Sequence, residues 1–135
     1  MTLLLDTHIF LWLRHESEKL SKLALEACKD KNNHFYLSIA SVWEMQIKHQ
    51  LGKLELNIPL EDMIEEQCQT NDLQILPITT KHISALYNFP FLLKEPSFYH
   101  KDPFDRILIA QAVVENAHLV SADSVFKNYQ VKLLW

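Results

Sequence analysis

Glycine is almost absent from this chain: Gly52 is the only one in 135 residues. A phosphate-cradling Gly-rich loop and a dinucleotide-binding fingerprint each need several glycines, so both are excluded. Cysteine is nearly as scarce. Cys28 and Cys68 fall in segments of helical patterning and read as free thiols of a cytoplasmic protein rather than a disulfide framework. Neither HExxH nor CxxC occurs among the seven histidines and two cysteines, which argues against a zinc site. No apolar run approaches the ~18 residues of a membrane-spanning helix. The opening MTLLLDTHIFLWL is apolar, but Asp6 interrupts it and no basic segment precedes it, so it makes a poor signal peptide. An excess of basic residues is also missing. The net charge of −4 counts mildly against a large nucleic-acid footprint, and a cluster of metal-binding carboxylates would produce the same sign.

What is present is ordinary for a soluble domain: 48% hydrophobic and 22% charged residues, with no repeat and no low-complexity tract. The length suits a single domain over residues 1–135 with one substantial core. Strand-like and helix-like segments alternate. Thr2–Leu5, Phe35–Leu37, Leu73–Ile78, Ala117–Ser121 and Gln130–Leu134 read as strands, the third near an edge because Pro77 cannot donate to a ladder. Helices are expected over Thr7–Leu13, Ser21–Lys29, Ile39–Gln50 (Ser38 as cap, Gly52 as terminator), from Pro59 to about Gln69, and from a Thr80 cap to about Tyr87. In the third of these Ile39, Trp43, Ile47 and Leu51 recur every four residues. Residues 88–99, rich in phenylalanine and proline, read as an ordered loop. The pattern predicts an α/β/α sandwich around a mainly parallel sheet.

One stretch organises the rest, HKDPFDRILIAQAVVENAHLVSADSVF at 100–126. Asp102 stands as an N-cap, Pro103 falls at the first helical position, and Asp105 lies in the first turn. An apolar helix and a short buried strand follow, with Asp123 just beyond. In a parallel sheet a helix starts at the edge where the preceding strand ends, and that edge is where open α/β sheets bind ligands.

Four acids fall at equivalent places: Asp6 after the first strand, Glu44 in the second turn of the helix after the second, then Asp105 and Asp123. Together they would repel one another and raise their pKa values unless a hard dication, Mg²⁺ or Mn²⁺, neutralised them. Each has a plainer reading. Asp6 stands where a helix cap would. Glu44 and Lys48 are spaced for a surface ion pair, Asp105 suits the helix dipole, and Asp123 suits a turn.

The segments DTHIFLWL (6–13), SVWEMQIKHQLGKL (41–54), HKDPFDRILIAQA (100–112) and SADSVFKNYQVKLLW (121–135) resemble the PIN-domain ribonucleases, most nearly the VapC-type toxins of bacterial toxin–antitoxin pairs. Residues 55–95 match weakly. The resemblance implies a five-stranded parallel sheet between helices and cleavage of RNA dependent on Mg²⁺ or Mn²⁺, leaving a 5′-phosphate and a 3′-hydroxyl. It implies catalysis and metal binding by Asp6, Glu44, Asp105 and Asp123. Thr7 matches the hydroxyl residue after the first acid, and Ser121 stands where threonine is commoner. Asp102 and Arg106 belong to a DPFDR pattern of supporting, substrate-contacting or capping residues. Arg14, Lys48, Lys53, Lys101 and Arg106 are candidates for the RNA backbone. Phe89, Phe91, Phe98 and Tyr99 are candidates for base stacking or a partner. An antitoxin and a homodimer are the implied protein partners. Two other readings are open from the residues alone, a different phosphoryl-transfer domain and a non-enzymatic binding module whose acids are caps. A dehalogenase-like phosphatase would place a second Asp two residues after the first, and His8 stands there.

Overall fold

The computed structural model describes residues 1–88 and 102–135. The expected loop over 88–99, with its four aromatic candidates, and Lys101 therefore lie outside the described residues, apart from the backbone of Asn88. Five strands, β1 (Thr2–Leu5), β2 (His34–Ser38), β3 (Gln74–Leu76), β4 (His118–Val120) and β5 (Leu133–Leu134), form one sheet in the order β3-β2-β1-β4-β5. Every pairing is parallel, with Leu4 opposite Tyr36 on one side and Leu119 on the other.

Strand side chains alternate between faces, and the core divides accordingly. Leu3, Leu5, Leu37, Val120 and Leu134 point into a cluster shared with Ile9, Phe10, Ala24, Met45 and Met63. These last belong to α1 (Thr7–His15), α2 (Lys22–Lys29), α3 (Ile39–Gln50) and α4 (Leu60–Asn71). Leu4 and Leu119 point the other way, onto Leu108, Ile109 and Ala112 of α6 (Pro103–Val114) and onto Phe126 and Tyr129. A short α5 (Thr80–Ala85) packs on α6. The three layers follow from strands that are apolar on both faces, as a parallel sheet requires.

Local chemistry sets the boundaries. Ser21 and Ser38 cap α2 and α3 by accepting from Ala24 and Ala40 N–H. Gly52, at φ +72°, takes the left-handed turn after α3. Asp72 and Asn116 take left-handed conformations after α4 and α6. Four details depart from the expectation. Pro59 occupies the N-cap of α4 rather than its first turn, and the helix continues to Asn71. Thr79, not Thr80, caps α5, because the His82 ring accepts the Thr79 N–H and completes a capping box. The last strand shrinks to two residues, and Ser124–Asn128 before it winds into a 3₁₀ turn capped by Asp123. Finally, Ile39, Trp43 and Leu51 face outward on α3, whose buried residues are Ala40, Ser41 and Met45.

Candidate functional site

All five strands run in one direction, so Asp6, Glu44, Asp105 and Asp123 share the edge at the strands' C-terminal ends. Asp6 directly follows β1, and its backbone N–H donates to the Val120 carbonyl at 3.0 Å, which extends the ladder by one bond. Its side chain is 7% exposed and does not cap α1. Instead Oδ2 accepts the Ser121 hydroxyl at 2.6 Å. Ser121 is itself buried after β4 and accepts the Asp123 N–H at 3.0 Å. The serine thus ties the first acid to the turn that carries the last.

Glu44 reaches the same place from α3. Its Oε1 accepts the buried Thr7 hydroxyl at 2.6 Å, and its Oε2 lies 3.4 Å from Lys48 Nζ. The ion pair read from the i, i+4 spacing exists, and the carboxylate is also fixed from the Asp6 side by the residue next to Asp6. Burial pushes the Asp6 carboxyl above its ordinary value. The Ser121 hydrogen bond and nearby His8 oppose the rise, and the Glu44 charge adds to it. The His8 backbone N–H also opposes it, without the alignment of a capping bond. A buried carboxylate whose pKa is raised by burial and by a neighbouring carboxylate marks a candidate functional site.

The other two acids are held differently. Asp123 is exposed, and its Oδ1 accepts the Val125 N–H at 3.0 Å. Asp102 caps α6 as expected, its Oδ1 accepting from Phe104 N–H at 2.9 Å and Asp105 N–H at 3.4 Å. Asp105 and Arg106 are half-buried in the first turn of α6, close enough to Tyr129 for both charges to act on its phenol. Burial raises the Tyr129 pKa, with Arg106 opposing and Asp105 adding. Tyr129 is fully buried beside this turn; it precedes the expected last strand, Gln130–Leu134, and no local pattern marks it. Among the described residues no three His, Cys, Asp or Glu side chains converge closely enough to hold a metal ion. Hydrogen bonds therefore tie Asp6 to Ser121 and Glu44 to Thr7, while Asp105 and Asp123 lie at the same sheet edge without closing a metal-holding cluster with them. Arg14, a candidate for RNA contact, pairs instead with Glu66 at 3.2 Å.

Comparison with known proteins agrees with this architecture. The sequence profile of the PIN domain matches residues 3–132. Ribonuclease VapC22 of Mycobacterium tuberculosis is 24% identical over 132 residues, spanning 96% of this chain and 92% of that protein. In the crystal structure of VapBC2 from Rickettsia felis bound to a DNA fragment from their promoter, one chain superposes with a TM-score of 0.70 at 20% identity. The match covers 98% of this chain and 97% of that one. A chain of VapBC-1 from nontypeable Haemophilus influenzae matches with a TM-score of 0.65 at 20% identity, covering 95% and 92%.

Proposed function

This chain belongs to the PIN domain family, and from that premise we propose that it is a divalent-metal-dependent endoribonuclease, the toxin of a toxin–antitoxin pair. The single observation that carries the reading is the Asp6–Glu44 pair. Two carboxylates lie close enough for the charge of one to act on the other, one of them buried with a raised pKa, and each is aligned by a dedicated hydroxyl. A surface pair of caps needs neither the burial nor the hydroxyls.

The donor set is all oxygen and fits a hard dication, Mg²⁺ or Mn²⁺. Asp6 and Glu44 would hold it, with Asp105 and Asp123 as flanking ligands. Such an ion supplies a lowered pKa for a bound water and neutralises charge on a phosphoryl oxygen. The protein's own contribution is orientation. Ser121 fixes one Asp6 oxygen and leaves the other available. Thr7 fixes one Glu44 oxygen, and Lys48 pairs with the other and offers a positive charge to a phosphate at the rim. Asp102 sets the start of α6 and so the height of Asp105. Arg106 lies beside Asp105, where a guanidinium can meet a backbone phosphate.

The similarity to VapC22 and to the VapBC structures supports RNA as substrate and an antitoxin as partner, in the cytoplasm. The outward stripe of α3 supports a homodimer: Trp43 and Leu51 are each 63% exposed, and apolar patches of that kind mark protein contacts. Purified protein should therefore cleave cellular RNA with Mg²⁺ or Mn²⁺, leaving 5′-phosphate and 3′-hydroxyl ends, and stop in EDTA. Cleavage that continues in EDTA, or that leaves cyclic phosphates, would contradict the proposal.

A further inference from the structure

Beside the acid pair runs a row of aromatic rings that the chemistry above does not use. His8, two residues after Asp6, is exposed, and its ring centroid lies 6.0 Å from that of Trp12 at an interplanar angle of 48°. Trp12 lies 6.3 Å from Trp135 at 52°. The Lys19 ammonium sits 5.8 Å from the Trp12 ring centroid, and the same ammonium pairs with Glu16. Trp135 immediately follows β5, so the row starts and ends on the sheet edge that carries the acids. Trp12 is half-buried against the core and anchors the row, while Trp135 remains 38% exposed.

We propose that His8, Trp12 and Trp135 form a stacking platform for the bases of a single-stranded RNA whose backbone passes the Asp6–Glu44 pair. This rests on the ribonuclease reading and deepens it by naming how the substrate is held. Three features favour a nucleic-acid strand over a peptide. The row is continuous with the acid pair, so a strand lying on it delivers a phosphate to that edge. The rings are tilted rather than closed into a stack, an arrangement to which planar bases can add. A cation lies beside the central ring, where it meets the phosphate that accompanies each base. Stacking of this kind is tolerant of sequence and gives the strand a register without reading base edges.

The test compares two probes in EDTA: a short labelled oligoadenylate, and an abasic ribose-phosphate chain of the same length. Wild-type protein should bind the oligoadenylate more tightly and show quenched tryptophan fluorescence. Trp135→Leu and Trp12→Leu should each weaken oligoadenylate binding about tenfold and leave the abasic chain unaffected, and Trp135→Phe should recover most of the loss. If Trp12→Leu fails to fold by circular dichroism, Trp135→Leu carries the test alone, because its side chain is the more exposed. A folded Trp135→Leu that still prefers the oligoadenylate by the wild-type margin would overturn the platform. So would a Trp135→Leu that changes only self-association by light scattering, which would assign the row to a second copy of the chain. Wild-type protein that cleaves RNA with Mn²⁺ but does not distinguish the probes would overturn the platform and leave the ribonuclease reading standing. Protein that neither cleaves nor binds would remove both.

Discussion

An ionised carboxylate costs free energy to bury, and Asp6 carries that cost. Its pKa is raised mainly by burial, so the folded state keeps a proton that the unfolded state releases near the ordinary value of 3.8. By linkage, the Asp6 contribution favours folding fully below that value and is lost as pH rises through the folded pKa. Metal-free Asp6→Asn should therefore melt at the wild-type temperature below pH 3.8 and progressively above it as pH rises. Thermal melts in EDTA across that range check it, and a constant offset between the two proteins would mean that the residue does not titrate in this way. Asp102 and Asp105 separate by the same logic of partners. Asp102 holds two backbone N–H groups, so Asp102→Ala should cost about 0.5–2 kcal/mol of stability and keep substantial activity. Asp105→Asn should leave the fold intact and abolish cleavage, and the reverse order of activities would exchange the roles. The caps at Asp102 and Ser38 were legible because capping needs only a short polar side chain before an apolar helix. The hydroxyl bonds from Thr7 and Ser121 were not, since they join residues 37 and 115 positions apart in the chain.

Among the elements, α6 was the most legible and β5 the least. Pro103 after a capping Asp, followed by an apolar run, defines α6 from local chemistry alone. A two-residue strand has no pattern to read, and the 3₁₀ turn before it takes its shape from the Asp123 cap and the burial of Phe126 and Tyr129. In α3 the helix was legible, but not its orientation. An apolar residue at every fourth position marks a face without saying whether that face meets the core, and here small Ala40 and Ser41 fit beneath it while Trp43 packs on Phe104 at 5.4 Å. The α5–α6 contact depends on His82, which is fully buried. One ring nitrogen accepts the Thr79 N–H at 3.0 Å, and Nε2 meets Glu115 Oε2 at 2.9 Å. Gln111 joins the same cluster and donates to the Pro77 carbonyl at 3.3 Å. His82→Ala should cost at least about 1–3 kcal/mol, the penalty for stranding buried polar partners, and Glu115→Gln should cost less because it keeps an acceptor. Chemical denaturation of both variants checks the order, and equal losses would contradict it.

For the whole molecule, the proposed metal binding would couple to folding through one edge of the sheet. The parallel sheet carries residues from β1, α3, α6 and the turn after β4 to that edge, and only the folded chain brings Asp6 and Glu44 together. A dication that binds this arrangement alone should stabilise the fold by about 2.7 kcal/mol at roughly 100 times its Kd. Melting temperatures with excess Mn²⁺ and with EDTA should differ accordingly in wild type and converge in Asp6→Asn, whereas a full shift in that variant would place the ion elsewhere. The most direct measurement is RNA cleavage as a function of Mn²⁺ concentration for wild type, Asp6→Asn and Glu44→Gln, with circular dichroism to show that each is folded. Wild type should cleave with a saturable dependence on Mn²⁺, and both folded variants should lose that activity at every concentration. Wild-type activity in either folded variant, or wild-type cleavage indifferent to Mn²⁺, would contradict a metal-dependent nuclease centred on this pair.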